Sequence, residues 1–181
     1  MPAGARRVRV HSFAPLADSS SRLLILGSMP GKASLQASEY YAHPRNSFWK
    51  IVGTLFDIDP DDPYERRIAA LRKHGIAVWD VLASCTRDSS LDSDIDEASI
   101  VVNGFAAFLR THTRIRTICF NGAKAESCYR KHVLPELGDA GAFRYHRLPS
   151  TSPAHAAMSY AEKVAAWRAV VDPIRKGDAA T

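Results

Sequence analysis

Three segments of this 181-residue chain concentrate side chains able to hold or hydrolyse a polar ligand. The first is Gly27-Ser28-Met29-Pro30-Gly31, directly after the apolar run Leu23-Leu24-Ile25-Leu26. Its glycines and its proline suit a rigid ledge where backbone amides approach a ligand closely. A P-loop is excluded, because three residues rather than four separate Gly27 from Gly31 and Ala33 stands where a magnesium-binding hydroxyl belongs. A nucleophile elbow is excluded too, since Ser28 lacks a glycine two places before it. An ordinary strand-to-helix turn is the plainer alternative.

The second segment, Tyr40-Tyr41-Ala42-His43-Pro44-Arg45-Asn46-Ser47-Phe48-Trp49, is dense in aromatic, amide, imidazole and guanidinium groups. Phe48 and Trp49 fall on a helical stripe and read as core, while Tyr40 and Tyr41 precede Pro44 in a loop where one of them can offer a flat face to a nucleobase. Asn46 stands at a helix start and is open to two readings, an N-cap or a ligand-binding amide. The third segment, Leu148-Pro149-Ser150-Thr151-Ser152-Pro153-Ala154-His155, brings hydroxyls and backbone amides suited to phosphate oxygens, held at fixed spacing by its prolines. A solvated loop is the alternative there, and His155 on its own reads as structural. Asp92 and Asp94 read as helix-start acids rather than as an acid-base pair.

The elements that must position these segments alternate. Strands are predicted at Leu23 to Leu26, Ile76 to Leu82, Thr117 to Phe120 and Phe143 to Leu148. Helices are predicted from Asn46 through Leu55, from Tyr64 to His74 with Gly75 as terminator, and from the acids at Asp92 through Leu109. Two more start at Asn121-Gly122 and span Ser159 to Ile174. This order implies a doubly wound, mostly parallel sheet with helices on both faces. The carboxyl ends of its strands carry all three segments, which is where such sheets bind ligands. We expect one domain over 1–181 with its core at about 23–174, flexible termini and a frayed tail from Lys176 to Thr181.

Hydrophobic residues make up 46% of the chain and charged residues 24%, which excludes disordered and low-complexity classes. No run of 18 apolar residues and no signal-peptide core are present, so neither a membrane span nor secretion is expected. Cys85, Cys119 and Cys128 form an odd set without C-x-x-C spacing, read as reduced thiols in a cytoplasmic protein with no metal site. A net charge of +5 raises the prior for a nucleic-acid partner only modestly.

Taken together the segments resemble the uracil-DNA glycosylase superfamily, and most closely its hypoxanthine-DNA glycosylase branch. The resemblance runs from about Leu23 to Trp167. Besides the three segments it is carried by Val78-Trp79-Asp80-Val81-Leu82-Ala83-Ser84-Cys85 and Ser90-Leu91-Asp92-Ser93-Asp94-Ile95. It implies a three-layer α/β/α sandwich around a four-stranded, mostly parallel sheet. The implied activity is monofunctional, cofactor-free hydrolysis of the N-glycosidic bond of a base flipped out of double- or single-stranded DNA. Hypoxanthine is the leading substrate, with uracil or xanthine beside it, and the protein is expected to work as a monomer away from membranes.

By the same resemblance Asn46 is the catalytic residue and Tyr41 the aromatic platform under the base. Gly27, Ser28, Met29, Ser84 and Cys85 would build the base pocket. Pro30, Gly31, Ser150, Thr151 and Ser152 would hold DNA phosphates. Two departures stand out. Met29 occupies a position where uracil- and mismatch-specific relatives carry Asp or Asn, and Leu148 a position where many carry His. Other readings stay open: a uracil- or mismatch-specific glycosylase, a hydrolase of free nucleosides or nucleotides, and a non-catalytic nucleic-acid-binding module. No lysine in these segments is placed for a Schiff base, Lys32 being the nearest.

Overall fold

The computed structural model describes residues 7–138 and 143–177. Its centre is a four-stranded parallel sheet made of β2 (Leu23–Gly27), β3 (Ile76–Asp80), β6 (Thr117–Asn121) and β7 (Arg144–Leu148), in the order β3-β2-β6-β7. β2 and β3 are buried along their whole length because both faces of the sheet are covered, which is why they read as unbroken apolar runs. Alternate residues nevertheless go to opposite layers. Leu23, Ile25, Ile76 and Val78 face one core cluster, whereas Leu24, Leu26, Ala77 and Trp79 face the other.

The first layer holds α2 (Phe48–Phe56), α3 (Tyr64–Lys73) and α7 (Tyr160–Gly177), with Phe48, Ile51, Leu71 and Trp167 fully or almost fully buried against the sheet. The second holds α4 (Phe105–Thr111), α5 (Ala123–Cys128), a π-helical turn over Tyr129–Val133 and α6 (Leu134–Leu137). A short helix, α1 (Lys32–Ala37), follows β2. The three-layer arrangement agrees with the sequence reading.

Three features depart from that reading. The predicted strand Ile76 to Leu82 breaks after Asp80. Val81 and Leu82 turn to donate their N–H groups to the carbonyls of Gly27 and Ser28, at 2.8 and 3.1 Å. The chain then enters β4 (Leu82–Arg87), which joins a separate antiparallel sheet with β1 (Val8–His11) and β5 (Val101–Val102) in the order β1-β4-β5. Apolarity continues across the break, so hydrophobic pattern alone cannot reveal the change of partner. The helix predicted to open at Asp92 is also absent. Two 3₁₀ turns, Asp92–Asp94 and Glu97–Ser99, stand there, and helix begins only at Phe105. Finally, Lys176 and Gly177 belong to α7, while the rest of the tail predicted to fray, 178–181, lies outside the described residues. None of the described helices is long and apolar enough to cross a membrane.

Candidate active site

All four parallel strands point their carboxyl ends into one cleft of about 710 Å³. Gly27, Asp80 and Asn121, the last residues of β2, β3 and β6, line it directly, and Ser150 lines it two residues beyond β7. From β2 the chain crosses over to β3 on one side, while β6 lies on the other. The cleft therefore opens where the strand order reverses, the place where sheets of this kind bind ligands. The three chemistry-bearing segments meet there, together with Ser90 to Ser93.

The Gly27 to Gly31 segment is fixed from behind. The buried Arg87 guanidinium donates from Nη2 to the Pro30 carbonyl, and the Lys32 N–H donates to Ser90 Oγ at 2.9 Å. Ser28 donates its hydroxyl to Asp92 Oδ1 at 2.5 Å, tying the first 3₁₀ turn to the end of β2. Gly27 must be glycine for steric reasons. A Cβ there would lie 2.6 Å from Asp80 Oδ1 and 3.0 Å from Tyr41 Oη. Asp80 is 3% exposed, and its Oδ2 is sealed from solvent with no hydrogen-bond partner. Burial raises its pKa to about 7, the charge of Asp92 adds to the rise, and Arg87 opposes it.

The second segment is anchored by Trp49, whose Nε1 donates to the Tyr40 carbonyl at 2.9 Å. Tyr41 adopts a left-handed backbone conformation (φ 55°) that turns its ring flat against Phe48, with centroids 4.0 Å apart and planes 20° apart. Burial holds the Tyr41 hydroxyl above the usual phenol range, the charge of Asp80 adds to the rise, and the Asn121 side chain opposes it. Asn46 stands one residue before Ser47, which is the N-cap of α2. Its Oδ1 accepts the Phe48 N–H at 3.0 Å at the head of α2, and the residue lines the cleft.

The third segment is clamped to the sheet through Thr151. The Asn121 side chain accepts the Thr151 N–H at 2.9 Å and donates to Thr151 Oγ1 at 2.9 Å. Ser47 donates both its N–H and its hydroxyl to the Thr151 carbonyl, at 3.0 and 3.3 Å, so the second and third segments meet at one residue. Trp167, fully buried in α7, donates Nε1 to the Pro149 carbonyl at 3.0 Å. Ser150 packs against Gly122, whose φ of 98° and lack of a side chain admit it: a Cβ on Gly122 would stand 3.1 Å from Ser150 Cβ. Ser150 Oγ and Ser152 Oγ accept the N–H groups of Ser152 and Ala154, both at 3.2 Å, which leaves each hydroxyl proton free to be donated outward.

Nine of the twelve predicted site residues thus fit one cleft-lining arrangement: Gly27, Ser28, Met29, Pro30, Gly31, Tyr41, Asn46, Ser150 and Ser152. The others require correction. Ser84 and Cys85 lie in β4, away from the cleft lining. Ser84 accepts a hydrogen bond from Arg9 at 2.7 Å, and Cys85 is fully buried in the second core cluster. Their expected place in a pocket floor depended on reading Ile76 to Leu82 as a strand of the central sheet. Thr151 reaches the cleft lining but is 1% exposed, and its N–H, Oγ1 and carbonyl all meet Asn121 or Ser47, so burial makes it a holder of the segment and keeps its hydroxyl from a phosphate.

Sequence reasoning missed Asp80 and Asn121 as site residues. Asp80 had a usable signal, a lone carboxylate inside the apolar run Val78 to Leu82. Asn121 had a weaker one, an amide at a strand end, where it read only as a helix start. Lys124 also lines the cleft. Burial acts to lower its pKa, yet the hydrogen bond and charge of Glu97 outweigh burial and raise it.

Residues 14–171 match the family described as the uracil DNA glycosylase superfamily. A protein from Methanosarcina acetivorans named hypoxanthine DNA glycosylase is 36% identical over 114 residues, 62% of this chain and 71% of that protein. One of the same name from Methanosarcina barkeri is 32% identical over 119 residues, 65% of this chain and 74% of its own length. The solution NMR structure of a Methanosarcina acetivorans protein, described as a uracil DNA glycosylase, superposes with a TM-score of 0.75 at 32% identity, covering 90% of this chain and 96% of that one.

Proposed function

The chain belongs to the uracil-DNA glycosylase superfamily, and from that premise we propose that it removes hypoxanthine from DNA by hydrolysing the N-glycosidic bond. The single observation that carries the reading is the convergence, in one cleft at the strand ends, of the Asn46 amide, the Tyr41 ring and the Gly27 ledge. That cleft suits a flipped base, which needs a flat support, polar groups at its edge and a placed water.

In this reading the face of Tyr41 opposite Phe48 carries the base. Asn46 Oδ1, which keeps a second lone pair beside its bond to the Phe48 N–H, accepts a hydrogen bond from the attacking water and aims it at C1′. The water oxygen bonds to C1′, the C1′–N9 electron pair leaves with the base, and the water's proton ends on that base. Met29 has no group that can orient water and is 7% exposed, which supports Asn46 for this task. Ser150, Ser152 and the Pro30-Gly31 backbone position DNA through its phosphates, with the exposed Lys32 and Arg45 beside them. Lys124 lines the cleft as a cation paired with Glu97, a poor nucleophile for a Schiff base, which supports a monofunctional hydrolase.

Duplexes carrying inosine, uracil, xanthine or only normal bases, treated with the protein and then cleaved at abasic sites by alkali, test the proposal. Strand cleavage is expected with inosine. Release of hypoxanthine from free deoxyinosine at a rate matching that from DNA would overturn the reading in favour of a nucleoside hydrolase.

A further inference from the structure

Among the described residues two carboxyls line the cleft: Asp80, buried in the floor, and Asp92, exposed on the 3₁₀ turn Asp92–Asp94. An acid at the start of a turn ordinarily caps it. Asp92 does not, for the N-cap of that turn is Leu91 and no side chain caps it. Its Oδ1 instead accepts the hydroxyl of Ser28, 64 residues away in the sequence and next to the end of β2. Among the described residues Oδ2 accepts no hydrogen bond and the carboxylate makes no salt bridge.

The charge of Asp92 acts on Arg87 and Lys124, yet both cations are engaged elsewhere, Arg87 with the Pro30 carbonyl and Lys124 with Glu97. Neither cancels it. The same charge reaches inward to the floor, where it adds to the raised pKa of Asp80 and of the Tyr41 hydroxyl. Asp92 thus projects a negative field into the space above the Tyr41 ring.

We propose that Asp92 is a second catalytic group, an anion set against the deoxyribose to stabilise the positive charge that arises there as the bond to the base breaks. The inference rests on the glycosylase reading and deepens it. As the C1′–N9 electron pair leaves with the base, C1′ and the ring oxygen share a positive charge, as in other glycoside cleavages. Asn46 is neutral and can aim water but cannot offset that charge. A carboxylate offsets it without forming a bond or moving a proton: the water oxygen still bonds to C1′, and the water's proton still ends on the base. Because Ser28 holds Oδ1, the charge is in place before the reaction begins and needs no reorganisation. Asp80 is a weaker source of the same field, since it is sealed from solvent and its pKa is lifted to about 7. An anion in a DNA cleft also repels phosphates. Asp92 therefore works against ground-state affinity and in favour of the transition state, which is the differential binding that accelerates a reaction.

Asp92→Asn tests the proposal, because it keeps an oxygen to accept the Ser28 hydroxyl and removes only the charge. A merely structural role survives that change. Single-turnover excision from an inosine duplex should fall by about 10² to 10³-fold. Affinity for the intact duplex should be equal or tighter, and Tm unchanged. Binding to duplexes in which a cationic pyrrolidine or a neutral tetrahydrofuran replaces the target nucleotide gives a readout that needs no turnover. The wild type should prefer the pyrrolidine duplex by about 10²-fold, and Asp92→Asn should lose most of that preference. If the wild type leaves inosine duplexes intact, the glycosylase reading fails and this inference with it. If the wild type excises hypoxanthine, but Asp92→Asn reacts at the same rate or keeps the full preference for pyrrolidine, this inference alone is overturned.

Discussion

The carboxyl of Asp80 occupies the space that a side chain on Gly27 would fill, with Oδ1 2.6 Å from the position of the missing Cβ. Both residues are fixed by the parallel ladder between β2 and β3, so a methyl group on Gly27 must displace the Asp80 carboxyl and press on the Tyr41 hydroxyl. Gly27→Ala should therefore stay folded and lose excision of hypoxanthine by roughly 10 to 10²-fold, the cost of misplacing a positioning group by about 1 Å. Circular dichroism and single-turnover kinetics check this together, and an active Gly27→Ala enzyme would mean that the carboxyl position is immaterial.

Asp80 also makes a prediction for stability, with its sign set by the direction of its pKa change. The folded value, about 7, lies above the ordinary 3.8, so folding favours the protonated form. That contribution is complete below the ordinary value and is lost as pH rises through about 7. Above neutrality the buried charge costs on the order of 1 to 4 kcal/mol, since each tenfold change in a protonation equilibrium is worth about 1.4 kcal/mol. Asp80→Asn removes the charge and should raise Tm under alkaline conditions by several degrees, about 2 to 4 °C for each kcal/mol. Thermal melts at acid and alkaline pH measure it, and a variant less stable than the wild type in alkali would contradict the unpartnered state of the carboxylate.

Much of this architecture is legible in the sequence because burial on both faces leaves a direct trace. The runs Leu23 to Leu26 and Thr117 to Phe120 are continuous apolar stretches, and both are central strands. β1 and β5 are less legible. They are short edge strands, with Val8 59% and Val101 50% exposed, so little burial shapes their pattern. In the site, Asn46 and Tyr41 are visible because aromatic and amide groups crowd a loop. Asp80 and Asn121 acquire their meaning only from pairing, the first through Gly27 on the neighbouring strand and the second through Thr151, thirty residues further on. No local pattern encodes either relation.

The contacts proposed for DNA phosphates predict a steep salt dependence. Some three to five phosphate contacts give a log-log slope of affinity against salt of about −3 to −5. Ser150→Ala, which removes a hydroxyl beside Gly122 without removing a core group, should weaken binding to inosine and abasic duplexes alike and leave base preference unchanged. Fluorescence anisotropy over a salt series reads both effects. A flat salt response would contradict a phosphate grip, and a changed base preference would move Ser150 into the base pocket.

The most direct measurement of the whole account is single-turnover release of hypoxanthine from an inosine duplex by the wild type and by Asn46→Ala, with Tm recorded for both. Asn46 lines the cleft, and its Oδ1 accepts one N–H at the head of α2 while keeping a lone pair for water. The account predicts abasic product with the wild type and a loss of roughly 10² to 10³-fold in Asn46→Ala, as for one preorganised polar group. Removal of the bond from the Phe48 N–H should cost only about 1 kcal/mol in stability. Undiminished excision by a folded Asn46→Ala, or intact DNA with the wild type, would contradict it.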